Sequence, residues 1–143
     1  MKGAYPTLSH SLLILLGLTA MSMIVASLSI SFLSTEKDLS TVELNFIADS
    51  VKNKMMDAYS LANQSSDYST GYFHLSLPEK IGNRRYTITL TQKKLFVNES
   101  VTNGQIEVSR DLNIDAELSG SVSAPASIRV DKQNGMISME LVK

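Results

Sequence analysis

Four acidic or amide side chains recur at every second position late in the chain: Asp111, Asn113, Asp115 and Glu117. Asp-x-Asn-x-Asp offers hard oxygen donors at the spacing that opens a calcium loop. The remainder of that loop is missing, because Ala116 stands where it needs glycine and Val122 where it needs a bidentate glutamate. Alternating acids on an extended strand otherwise form its solvated face. Only two histidines occur. His10 sits by the apolar N-terminal segment, and His74 alternates with Tyr72 and Ser76 on an outward strand face. They cannot assemble a Ser-His-Asp set or a histidine metal cluster. There is no cysteine, hence no thiolate site, and no glycine-rich phosphate loop. The chain reads as a non-enzyme with no catalytic residue, no metal site and no cofactor. Its 13 Lys/Arg against 14 Asp/Glu, unclustered, give no electrostatic case for nucleic acid. Two Asn-x-Ser tripeptides remain, starting at Asn63 and Asn98, and are candidate N-glycosylation sites.

Polarity is distributed unevenly along the chain. Of the 143 residues, the first 34 carry a single formal charge, Lys2. The apolar stretch Leu8–Leu33 would be roughly 39 Å long as a helix, against a hydrocarbon core of about 30 Å. It is longer than the apolar core of a removable secretory signal and has no clear Ala-x-Ala end, so it is expected to be retained as a membrane span. Lys2 favours the N-terminus inside and the C-terminal part outside. Within the span, Gly17, Ala20, Ser27 and Ser31 share one side of the helical wheel, where small residues let helices approach closely. That face is a candidate helix-packing surface, although small residues are tolerated in any membrane helix.

Beyond the span the pattern stays helical, with no Pro or Gly from Leu18 through Thr70. Leu44, Ile47, Val51, Met55, Ala58 and Ala62 recur at three and four, within a sector of about 80°. Leu44, Ile47, Val51, Met55 and Ala58 are expected to pack on the C-terminal domain. Leu39, Val42 and Phe46 form a shorter stripe roughly opposite, free to meet a neighbouring molecule. One long helix over about residues 7–63 follows, the alternative being a break near residues 34–40. Residues 64–71 read as a connector.

Alternation with period two then takes over. Tyr72–Leu77 and Arg85–Gln92 read as a hairpin joined through Gly82-Asn83, followed by a short run at Leu95–Val97. Gln105–Leu118 reads as one long strand, interrupted by Arg110 at a bulge or a corner between sheets. Ser127–Val130 and Met136–Val142 read as a last hairpin turning at Asn134-Gly135. The fold class expected is α+β: a long N-terminal transmembrane and amphipathic helix, then a small antiparallel β-sandwich-like domain. The divisions are 1–6 for a leader stub, 7–34 for the span, 35–63 for the amphipathic helix, 64–71 for the connector and 72–143 for the β domain.

The stub Met1-Lys2-Gly3-Ala4-Tyr5-Pro6 puts a basic residue and a glycine directly ahead of an intact hydrophobic helix. With the run Leu12-Leu13-Ile14-Leu15-Leu16, the long helix and the β domain, the chain resembles archaeal type IV pilin-like proteins. The stretch Leu77-Pro78-Glu79-Lys80-Ile81-Gly82, with Tyr86-Thr87-Ile88, is similar to a segment of membrane-anchored archaeal members of that group. The resemblance implies a class III signal cut between Gly3 and Ala4 by a prepilin peptidase. It also implies an extracytoplasmic head at the cell surface, and self-association or association with other pilin-like subunits as a minor pilin or pseudopilin. Bacterial pilins usually place a glutamate shortly after the cut, where this chain has Leu8 and Ser9. The competing expectation is a membrane-anchored β-domain binding module contacting the cell envelope or an appendage motor.

Overall fold

The computed structural model describes residues 5–143 except 67, 102 and 103, and the side chains of all these but residues 5–12, 100 and 101. The chain divides into two compact units, Met1–Asp38 and Leu39–Lys143. Gly3 and Ala4 lie outside the described residues.

One helix, α1, covers Tyr5–Gln64. In the first unit the described side chains from Leu13 to Leu33 are exposed, with Leu18 at 62% and Phe32 at 75%. This stretch satisfies its own polar groups. The hydroxyls of Thr19, Ser22, Ser27, Ser29, Ser34 and Thr35 each donate to a carbonyl three or four residues back, at 2.9 Å. A hydroxyl returned to its own helix leaves no donor stranded in hydrocarbon. By length and composition the helix can cross a membrane, which fits membrane anchoring of the chain.

In the second unit α1 contributes residues 39–64, followed, among the described residues, by eight strands: β1 Tyr68–Leu75, β2 Tyr86–Thr91, β3 Lys94–Val101, β4 Gly104–Asp111, β5 Glu117–Ser119, β6 Ser121–Ser123, β7 Ala126–Gln133 and β8 Met136–Val142. They form two four-stranded sheets, ordered β1-β7-β8-β5 and β4-β3-β2-β6. All pairs are antiparallel except β5 with β8. The fold is therefore α+β, a long helix followed by a sandwich-like domain. Its core is one cluster. The helix supplies Leu44, Ile47, Val51, Met55, Ala58 and Ala62, and the strands supply their inward parity, such as Tyr86, Ile88 and Leu90 from β2 and Ile128 and Val130 from β7. Each fully buried aliphatic side chain of this kind contributes about 1.5–3 kcal/mol.

The turn chemistry is local and the pairing is not. Asn134 (φ 51°) and Gly135 (φ 80°) close the β7–β8 hairpin in left-handed backbone, as a two-residue hairpin loop requires. Gly82 (φ 56°) also turns the chain, but only to close a bridge in which Ile81 and Arg84 exchange backbone bonds of 2.9 and 3.0 Å. The hairpin expected from Tyr72–Leu77 and Arg85–Gln92 therefore does not form. β1 pairs with β7 and β2 with β3 and β6, in different sheets. The strand expected from Tyr72 begins at Tyr68, four residues on from the last helical residue Gln64, because Ser69 and Gly71 continue the half-buried parity of Phe73. The long strand expected over Gln105–Leu118 is two. β4 stops at Asp111, Leu112 donates its N–H to the Lys93 carbonyl at 2.8 Å and buries its side chain, and the chain crosses to the other sheet as β5. Arg110 thus stands at a corner between sheets. β6, three residues with one inward side chain, is too short to show alternation.

Two polar ties hold residues 39–64 to the sheets. At one, Arg110 Nε and Nη2 of β4 donate to Asp49 at 2.6 and 3.2 Å, and Nη2 also to Asn45 Oδ1 at 2.7 Å. At the other, Lys132 of β7, only 7% exposed, donates Nζ to the carbonyls of Asn63 (3.2 Å) and Ser65 (2.9 Å). The last turn of α1 has no basic residue of its own. Lys132 supplies from the sheet the cation that a helix C-terminus favours. Lys132→Met keeps the aliphatic bulk and removes both donors. It is expected to lower the stability of the second unit by about 2–3 kcal/mol, the value of a charged hydrogen-bond set on carbonyls left short of partners. A drop in the urea midpoint at unchanged slope measures it.

Candidate assembly surface

Among the described residues, α1 exposes apolar surface in both units. Gly17, Ala20, Ser27 and Ser31 are all exposed in the first unit, and a Cβ at Gly17 would meet nothing within 4 Å. Their hydrogen-bonding demand is low, since Ser27 returns its hydroxyl to Ile24. The face is smooth and able to accept a close helical neighbour.

In the second unit the helix presents two unlike sides. Leu44, Ile47, Val51, Met55 and Ala58 are at most 1% exposed against the sheets. Leu39, Val42 and Phe46 are exposed at 61%, 67% and 72%. Val42 and Phe46 border a groove of about 450 Å³ completed by Glu43, Ile47, Pro78, Lys80, Ile81 and Gly82. The connector that failed as a hairpin turn thus forms one wall of an apolar groove against the helix.

The Arg110 hydrogen bond holds the Asp49 carboxyl below its ordinary range, and the same bond raises the guanidinium above its own. Burial pushes the Tyr86 phenol up to about 12, and its hydroxyl donates to the Pro78 carbonyl at the groove wall. Glu99 is fully buried on the inward face of β3. Neither of its carboxylate oxygens accepts a hydrogen bond among the described residues, and Arg84 Nη1 lies 3.7 Å from Oε1. Sequence reasoning passed over Arg110, Lys132 and Glu99 as partners of anything. A signal exists for two of them, since Glu99 follows Leu95 and Val97, and Lys132 follows Ile128 and Val130, in inward-facing slots. A charge in such a slot needs a buried partner. Arg110 reaches across 61 residues to Asp49, for which no local pattern exists.

The acidic series does not share one strand face. Asp111 ends β4 with Lys94 Nζ at 3.7 Å, Asn113 and Asp115 lie between strands, and Glu117 opens β5. No group of three His, Cys, Asp or Glu able to hold a metal ion occurs among the described residues. His74 is exposed, with Nδ1 3.4 Å from Ser127 Oγ. Asn63 is exposed in the last turn of α1. Asn98, expected at a connector or strand end, is instead well inside β3, opposite Thr87 on β2 and Glu107 on β4. Its amide nitrogen, in the orientation its neighbours require, donates to Glu107 Oε2 at 3.1 Å. No known protein family, curated protein or solved structure matches the chain.

Proposed function

We propose that the protein is a pilin-like structural subunit, a minor pilin or pseudopilin of an archaeal type IV pilus-related surface assembly. The apolar part of α1 would rest in the membrane before assembly and among neighbouring helices afterwards, with the β domain outside the cell. The observation that carries this reading is the helix itself: exposed apolar side chains from Leu13 to Leu33, with internally satisfied hydroxyls and a small-residue face. The Lys2-Gly3 pair ahead of that segment and the exposed Leu39, Val42 and Phe46 add support. Prepilin peptidase would cut between Gly3 and Ala4, and Asn63, exposed at the helix end, is the more open of the two glycosylation candidates.

The mature N-terminus decides it. Mass spectrometry of the protein from its native membranes is expected to find Ala4 as the first residue, and a chain still starting at Met1 overturns the reading. A second reading, a membrane-anchored β-domain module that contacts the cell envelope or an appendage motor, is favoured by the groove between Phe46 and Pro78. It requires neither cleavage nor the small face. Bulky residues at Gly17, Ala20, Ser27 and Ser31 would abolish assembled material under the first reading and change nothing under the second.

A further inference from the structure

Among the described residues the two sheets have four edges, and three of them are blunted. β5 and β6 are three residues each, and β4 carries Glu107, Arg110 and Asp111. The fourth is β1, eight residues with neither a charge nor a proline. Natural sheets protect long edges with charge, proline, bulges or brevity, because bare backbone groups recruit another strand. β1 has none of these devices.

The backbone parity of β1 follows from the β7–β8 turn. A two-residue loop at Asn134-Gly135 makes Gln133 and Met136 a hydrogen-bonded pair, so Lys132, Val130 and Ile128 direct their backbone groups toward β1. Their partners Ser69, Gly71 and Phe73 are thereby satisfied. Tyr68, Thr70, Tyr72 and His74 turn N–H and C=O to the open edge. Side-chain spacing agrees with this assignment: Thr70 Oγ1 reaches Asp131 Oδ1 at 2.7 Å, across a pair of the closer, non-hydrogen-bonded type. Beside this edge, on the inward side, lies a groove of about 160 Å³ with Leu61, Gly71, Phe73 and Val130 among its lining. Leu61 is 56% exposed there.

We propose that this edge pairs with itself: two copies of the chain join antiparallel through β1, about a two-fold axis at Tyr72, into one eight-stranded sheet. Side-chain parity and the open backbone groups allow only registers whose paired residue numbers are both even or both odd. The one centred on Tyr72 pairs Thr70 with His74 of the second copy and makes about six backbone hydrogen bonds. It sets Phe73 of each copy opposite Gly71 of the other, next to Val130 and over the groove. An aromatic ring across from a strand glycine covers the backbone that glycine leaves bare. The register centred on Gly71 would instead put two glycines face to face and leave that space empty. No charge on either strand opposes the pairing. This association is independent of polymerisation and of the proposed function.

The cysteine-free sequence makes the test clean. The full chain in detergent micelles is given one cysteine at a time. Residues on the axis in a hydrogen-bonded pair have Cα atoms about 5.5 Å apart, within disulfide range. Residue 70 lies roughly 14 Å from its own copy. Tyr72→Cys is expected to form a disulfide dimer under mild oxidation. Thr70→Cys and His74→Cys are each expected to stay monomeric alone and to form a mixed dimer when combined. In the cysteine-free chain, Tyr72→Lys should weaken dimerisation roughly tenfold by placing like charges opposite one another. Equal cross-linking at all three positions, no cross-linking at residue 72, or a dimer that survives Tyr72→Lys through the apolar helix overturns the proposal. So does capture of an unrelated extended peptide by a chain that is itself monomeric.

Discussion

Ile47→Asp is expected to unfold the second unit. Ile47 is 1% exposed in the middle of the helical stripe, between Leu44 and Val51. The substitution forfeits about 1.5–3 kcal/mol of apolar burial. It also places a carboxylate in the core cluster with no cation introduced to meet it, so several further kcal/mol are lost to desolvation. The sum, above about 4 kcal/mol, is comparable with the whole stability of a small domain. Phe46→Asp is the control one residue away. Phe46 is 72% exposed, and its replacement should alter stability by less than about 1 kcal/mol. Limited proteolysis and near-ultraviolet circular dichroism distinguish the two variants. A protease-resistant, natively packed Ile47→Asp chain would mean that the helix does not belong to the core.

The second large effect concerns the first unit. Leu18 and Ile24 are 62% and 58% exposed, so their partners must come from outside the fold. Arginine near the centre of a membrane helix costs about 2.5–3.5 kcal/mol on the insertion scale, so Leu18→Arg with Ile24→Arg costs roughly 5–7. The double variant is expected to leave the membrane pellet after alkaline extraction, while the unaltered chain remains in it. Because neither residue belongs to the core cluster, the β domain should keep its protease resistance. Retention of the double variant in the pellet would place the hold on the membrane elsewhere than in α1.

Much of the fold could be read from periodicity. The stripe Leu44 to Ala62 is a 3.6-residue signal, and all six of its residues are buried, joined by Ala48, which the stripe did not include. The β7–β8 hairpin follows from Asn134-Gly135, whose left-handed backbone few other residue pairs accept. Partner choice between strands was not legible. β1 finds β7 more than fifty residues away, and nothing near Tyr68–Leu75 in sequence encodes that. Gly82-Asn83 misled for a related reason: a turn pair fixes the local backbone, not what the flanking segments pair with, and here it closes one bridge. The acidic series misled because alternation continues across a sheet corner. Ile106, Val108, Leu112 and Leu118 are all buried, although β4 and β5 belong to different sheets. The candidate surface was legible where it depends on exposed apolar residues at Leu39, Val42 and Phe46. Its second wall, Pro78 to Gly82, was not, since it is created by tertiary folding.

The ties at Arg110 and Lys132 have a mechanical consequence. One anchors Asn45 and Asp49 to β4, the other anchors the end of the helix to β7, and between them runs the buried stripe. Separating the helix from the sheets therefore means breaking both anchors and the buried stripe between them. Residues 39–64 and both sheets are therefore expected to open as one cooperative unit.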